Sequence, residues 1–216
     1  MPYPFETFAL GSDKPTVIID IGAVYTKLGF ASEFYPRAII PSSLNDFETG
    51  INESIIDLKR SREDQFNVLA KFLHQIYYKH LLVVPKDRRA LIVESVLSPT
   101  EWRDTVAEVL FKHLDVPSVL FAPSHLCATF PLSITGSLVV DVGYTETLVL
   151  PIYESVAMLN CWEACPCASK KIHSRIESLL LSECSVKSST LGTIPVKECP
   201  DIIDERLLED IKVALI

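Results

Sequence analysis

Thr16–Phe30 reads TVIIDIGAVYTKLGF, and how it is read decides the fold. Val17, Ile18 and Ile19 are β-branched and uninterrupted, which suits a strand buried on both faces. The run delivers one carboxylate, Asp20, to a turn. Gly22 then supplies a position that needs unusual dihedrals or close ligand approach, and the chain leaves along a second strand-like run carrying Lys27. One such turn has a purely conformational explanation, because aspartate and glycine are common hairpin residues.

The plan recurs at Ser137–Tyr153, SLVVDVGYTETLVLPIY, with 121 positions between Asp20 and Asp141. A repeat at this scale predicts two similar halves, each presenting a turn to a shared cleft. Nucleotide chemistry supplies a common reason for both turns. Glycine lets backbone amides approach phosphate oxygens, Lys27 can neutralise them, and opposed Asp20 and Asp141 can hold a hydrated divalent cation.

Between the turns, strands and helices alternate. Ala38–Pro41, Ala90–Val96 and Val116–Ala122 read as strands. A helix beginning at Glu63 carries Phe66, Leu69, Ala70, Leu73, Ile76 and Tyr77 on one apolar stripe. A second is signalled by Ser98 as cap, Pro99 at the first helical position and Glu101 completing a capping box; it buries Trp102, Val106, Val109 and Leu110. A third opens at Pro123 and runs through Phe130. The alternation predicts an α/β sheet with helices packed on it. Ser42–Arg62 is polar, with one weak apolar run at Ile55–Leu58, and reads as a small exposed excursion. Further on, Ser169 caps a helix with Ile172, Ile176, Leu179 and Leu180 on one face, Ser185–Pro200 reads as loop, and Asp204–Ile216 as a last helix.

Composition narrows the function. Of 216 residues, 48% are hydrophobic and 22% charged, the balance of a folded globular chain. Lysine and arginine number 20 against 28 acidic residues, for a net charge of −8, and no basic cluster offsets it, which argues against nucleic acid. The start, MPYPFETFALGSDK, has no signal-peptide pattern and no run reaches membrane-spanning length, so the expected location is the cytoplasm, without membrane insertion. Cys127, Cys161, Cys165, Cys167, Cys184 and Cys199 are then reduced thiols. The C-x-x-x-C-x-C run lacks the paired C-x-x-C of a zinc knuckle, which favours buried or incidental thiols. His74 and His80 read as packing or surface residues.

These residues resemble the actin family. DIGAVYTKLGFASEFYPRAIIPS is similar to its first phosphate loop and continuation, VVDVGYTETLVLPIYE to its second, VVPKDRRALIVESVLSPTEWRDTVAEVLFKHLDVPSVLFAPSHL to the region between, and LLEDIK to the segment carrying a nucleotide-contacting lysine. The resemblance implies an α/β, actin-like fold, shared with the chaperone and sugar-kinase superfamily, with mixed sheets and flanking helices. A first domain would cover 1–135, with a reduced small subdomain around 42–64, and an incomplete second domain 136–216. It also implies ATP or ADP with magnesium, held by Asp20, Gly22 and Lys27 at the first loop, Asp141 and Gly143 at the second and Lys212 near the nucleoside, with Asp20 and Asp141 meeting the metal through water.

Departures from the pattern point away from catalysis. Ala23 and Val24 replace a serine and a glycine in the first loop, and Tyr144 and Thr145 replace an aspartate and a glycine in the second. The glutamine that orients attacking water falls at Ser124 and the assisting histidine at Leu148; serine is too short and leucine has no polar atom. The expectation is therefore no catalytic residue and negligible ATP hydrolysis. KHLLVVPKDRRALIVESVLSP, VPSVLFAPSHL and LPIYE with LNCW resemble the family branch that sits at the pointed end of the dynactin filament. That implies a structural capping subunit in the cytoplasmic cytoskeleton, with the other filament and pointed-end subunits as partners and dynein-driven transport as the process served. The stretch from Pro41 to Pro85 is shorter than in conventional actin, which suits a terminator that keeps one assembly surface and discards the other. The alternatives are an active ATPase or small-molecule kinase of the same superfamily, or a nuclear actin-related protein.

Overall fold

The computed structural model describes residues 14–45, 52–57, 59–188 and 192–215. They divide into two compact units: one reaches Ser137 and takes in Glu154–Val156, the other comprises Leu138–Tyr153 and Ala157 onward.

The first unit is built on a five-stranded mixed sheet. Its strands are β1 (Val17–Ile21), β2 (Tyr25–Phe30), β3 (Ala38–Pro41), β6 (Ala90–Glu94) and β7 (Val119–Pro123), ordered β3-β2-β1-β6-β7. β1, β2 and β3 run as an antiparallel meander. β6 joins β1 in parallel, with Asp20 beside Val93, and β7 joins β6 in parallel, with Val93 beside Ala122. Parallel neighbours need helical crossovers, and two helices supply them: α1 (Arg62–Gln75) and α2 (Thr100–Glu108). Each widens at its end into a π turn, Ile76–Leu81 after α1 and Val109–His113 after α2. Val17, Ile19 and Leu28 of the sheet share one buried cluster with Leu69, Phe72, Leu73, Ile76, Val106, Val109 and Leu110 of these helices. Each large apolar side chain so buried contributes roughly 1.5–3 kcal/mol. The expected stripe on α1 is thus the core face, broadened by Val68 and Phe72.

Several local expectations need correction. The capping box at Ser98 does not form: Pro99 takes the cap position of α2 without a side-chain hydrogen bond, and the Ser98 amide closes a tight turn on the Ser95 carbonyl. A side-chain cap does form on α1, where Ser61 Oγ accepts from the Asp64 amide at 3.2 Å. The excursion after Pro41 is not all surface. β4 (Ser43–Asn45) pairs with β5 (Asn52–Ser54), and the following Ile55 is fully buried. Gln65, itself buried on α1, donates to the Ile55 carbonyl at 2.8 Å. Leu58 lies outside the described residues.

After β7 comes the short helix α3 (Ser124–Thr129), then the hairpin of β8 (Gly136–Val142) and β9 (Thr147–Tyr153). β9 is the hub of the second unit's four-stranded sheet, pairing also with the two-residue β10 (Val156–Ala157) and with β11 (Glu163–Cys165). Next is α4 (Ser169–Glu183). Ala168, not Ser169, is its cap, with no side-chain bond. Its buried residues are His173 and Ile176, whereas Ile172 and Leu179 are exposed, so the expected all-apolar face is wrong. Ser185–Pro200, expected as loop, contains an antiparallel pair, β12 (Ser185–Ser188) with β13 (Gly192–Pro195). The last helix is α5 (Glu205–Leu215), whose Leu207 amide is capped by Asp204 at 2.7 Å.

Candidate functional site: two turns of one design

The two Asp-x-Gly turns share one backbone closure. The Gly22 amide donates to the Tyr25 carbonyl at 3.1 Å, and the Gly143 amide to the Glu146 carbonyl at 3.0 Å. A Cβ on Gly22 would stand 2.6 Å from the Tyr25 oxygen, and one on Gly143 3.0 Å from the Glu146 oxygen. At Gly22 the backbone crosses where a side chain would be, and at Gly143 it comes close enough that a side chain would push it aside slightly. The repeat seen in sequence is therefore a repeat of geometry.

The first turn is buttressed by the residue just after β3. The Ser42 hydroxyl donates to the Gly22 carbonyl at 2.6 Å, sits 2.8 Å from the buried Thr26 hydroxyl, and the Ser42 amide donates to the Val24 carbonyl at 2.7 Å. Asp20 and Lys27 are direct cross-strand partners, with Lys27 Nζ 3.2 Å from the carboxylate. Both remain partly open to solvent. The register sets Asp20, Val93 and Ala122 level at the carboxyl ends of three parallel strands, the usual seat of a ligand in an open α/β sheet. Glu94, next along β6, is buried and gripped by the Arg103 guanidinium through both of its oxygens. Beyond β7, Ser124 Oγ lies 3.2 Å from His125 Nδ1, and the buried Nε2 of His125 meets no hydrogen-bond partner among the described residues. Burial pushes the Cys127 thiol above its ordinary value, and the charge of Asp20 adds to the effect.

The second turn is buttressed differently. Ser169 and Lys170, at the start of α4, donate their amides to the carbonyls of Gly143 and Tyr144 at 3.3 and 2.9 Å. Asp141 is exposed. Leu148 is 3% exposed and pairs across β11 with Ala164. Lys212 Nζ is bound to Glu209 at 2.6 Å. Sequence reading missed the residues around that lysine. Tyr144 donates its hydroxyl to Glu205, and His173 lies between Glu205 and Glu209. Burial, then the Glu205 bond, pushes the Tyr144 hydroxyl up to about 12. Spacing carried a faint signal: Glu205, Glu209 and Lys212 fall on one helical face, opposite a histidine set between Ile172 and Ile176.

These donors bear on a magnesium nucleotide unequally. At the first turn an exposed carboxylate and an exposed ammonium sit side by side, which fits a hydrated cation and a phosphate oxygen. At the second, the Gly143 amide and the leading amides of α4 are already bonded, leaving the exposed Asp141 carboxylate as the group on offer. Among the described residues no three histidine, cysteine or acidic side chains gather into a metal-binding group. Cys161, Cys165 and Cys167 are exposed free thiols rather than buried ones.

The sequence profile described as Actin matches residues 11–198. The chain belongs to the actin family. As an actin-family chain it has curated relatives that include Actin-related protein 10 of Dictyostelium discoideum, 28% identical across 78% of this chain and 40% of that protein. Actin-related protein 3 of Drosophila melanogaster is 27% identical across 88% of this chain and 56% of its own length. The chain thus spans about half the length of these relatives, and its mixed sheet and flanking helices are a partial actin-like fold. No described helix is long and apolar enough to cross a membrane.

Proposed function

We propose that this actin-related chain serves as a structural, non-enzymatic subunit capping the pointed end of the dynactin filament in the cytoplasmic cytoskeleton. There it supports dynein-driven transport through contacts with the other filament and pointed-end subunits. Similarity to an Actin-related protein 10 supports the assignment. The observation that carries the non-enzymatic part is the pair at the hydrolytic positions. Ser124 carries a short side chain 3.2 Å from His125 Nδ1, and Leu148 is a buried hydrocarbon. A serine does not reach as far as the glutamine it replaces, and a leucine has no polar atom with which to orient or deprotonate an attacking water.

A retained nucleotide fits this reading as structural cement. Asp20 and Lys27 would meet the phosphates and their magnesium, with Asp141 and Gly143 at the second turn and Lys212 toward the nucleoside. The bound group would supply charge, while the chain binds and orients it. The stretch from Pro41 to Pro85, shorter than in conventional actin, is in keeping with a terminator that keeps one assembly surface and discards the other.

The test is to add the full chain to dynactin stripped of its pointed-end subunits, then to follow filament-end occupancy by electron microscopy and phosphate release in a single turnover. Occupancy confined to one end with no phosphate burst is expected. Phosphate release at rates comparable with conventional actin, or elongation of filaments by the chain itself, overturns the reading.

A further inference from the structure

In the second unit, one turn and two helices converge on a buried imidazole. His173 of α4 is 4% exposed. Its Nδ1 lies 3.4 Å from Glu205 Oε1, and its Nε2 lies 3.1 Å from Glu209 Oε2, one helical turn further along α5. The Glu205 oxygen that faces the imidazole also accepts the Tyr144 hydroxyl, and the Tyr144 ring meets the imidazole edge-on with centroids 5.8 Å apart. The Glu209 oxygen that faces Nε2 also takes Lys212 Nζ, at 2.6 Å. The Lys212 side chain is only 14% exposed. Also packed on α4, the turn Val196–Glu198 contributes buried Val196 and leaves Lys197 and Glu198 exposed.

A lysine on a helix surface is mobile, and fixing it costs rotamer entropy. Here that ordering is already imposed. Glu209 holds one N–H of the ammonium, and the other two donors stay available. Glu209 in turn is fixed by His173, and the whole helix is fastened to the second turn through Tyr144 and Glu205. We propose that His173 is a positioning residue that, through Glu209, presents the Lys212 ammonium to the acceptor atoms of a nucleoside, while Tyr144 locks the same helix to the Asp141–Gly143 turn. This rests on the nucleotide part of the proposed function; the fastening of the helix does not.

The experiment uses the full chain and its His173→Ala, His173→Gln and Glu209→Gln variants. Hydrogen exchange of Glu205–Leu215 without ligand reads the fastening, and titrations with ATP and with inorganic tripolyphosphate read the positioning. His173→Ala is expected to speed exchange across α5 about tenfold and to weaken ATP about tenfold while leaving tripolyphosphate unchanged. Glu209→Gln should reproduce the ATP effect, and His173→Gln, which keeps a hydrogen-bonding side chain, should recover part of it. Unchanged exchange in α5 overturns the fastening. Equal weakening of ATP and tripolyphosphate reduces His173 to a structural residue and overturns the positioning. If the unmodified chain binds neither ligand, the nucleotide reading fails and the role of Lys212 falls with it, while the exchange result still decides the fastening.

Discussion

Lys27 and Asp20 stand directly opposite each other across the first hairpin, ammonium to carboxylate at 3.2 Å. Both are substantially exposed, and exposed pairs of this kind contribute at most about 1 kcal/mol. The pair is therefore better placed to meet a ligand than to hold the sheet. Asp20→Ala should shift the urea midpoint of the full chain by less than about 1 kcal/mol in stability. The same change should reduce nucleotide co-purifying with the chain, measured by mass spectrometry of the released base. A large loss of stability would assign Asp20 to the scaffold instead.

The two glycines are not equally tolerant. An added methyl at Gly22 meets the Tyr25 oxygen at 2.6 Å, where backbone must move, and at Gly143 it meets the Glu146 oxygen at 3.0 Å. Gly22→Ala should cost about 2–3 kcal/mol and Gly143→Ala about 1 kcal/mol, within the usual range for overpacking. Chemical denaturation of both variants gives the order, and a larger cost at Gly143 would contradict the geometry.

Tyr77 is fully buried at the π turn after α1, and its hydroxyl has no hydrogen-bond partner among the described residues. Burial raises its ionisation well above the ordinary phenol value. Removing an unpaired buried hydroxyl relieves a desolvation cost of roughly 1–3 kcal/mol. Tyr77→Phe should leave the chain at least as stable as before, by thermal melting. A clear destabilisation would mean that the hydroxyl bonds to a buried water.

The cluster around His173 should fail at both pH extremes. Lys212 holds the Glu209 carboxyl below its ordinary value of 4.5, against burial, and His173 assists. A depressed carboxyl stabilises the fold above its unfolded value and loses that contribution as pH falls through its folded value. Tyr144 is the opposite case. Its hydroxyl is raised from 10.0 to about 12, so its contribution is complete below pH 10.0 and lost as pH rises through about 12. Protection of the α5 amides, corrected for the pH dependence of intrinsic exchange, should fall below pH 4.5 in the unmodified chain, with a smaller acid dependence in Glu209→Gln. Phenolate absorbance, taken as the difference from Tyr144→Phe, should rise only at the alkaline end.

The sheet was legible in the sequence because each strand carries its own signal. The β-branched run at Val17–Ile19 and the Asp-x-Gly spacing needed no distant information. Reading failed where context decides. Ile55 sits in a polar stretch, yet it is drawn into the core by the Ser42 carbonyl bonded to its amide and by Gln65 reaching its carbonyl. The serines at 98 and 169 have the chemistry of caps but not the position, because the neighbouring residue takes the cap site in each case. Ser185–Pro200 has loop composition, but backbone pairing makes it a hairpin. At the candidate site, Asp20 and Lys27 were visible because the hairpin makes them neighbours. His173 and its carboxylates were not, since 32 and 36 positions separate them and acidic residues on a terminal helix ordinarily read as a solvated face.

Each Asp-x-Gly turn ties itself shut with its own glycine, and only the outer support differs: a serine after β3 in one half, the head of a helix in the other. A loop that carries its shape within four residues can be copied, and its surroundings rebuilt, without being redesigned. Chemistry can lapse from one copy while the form persists in both.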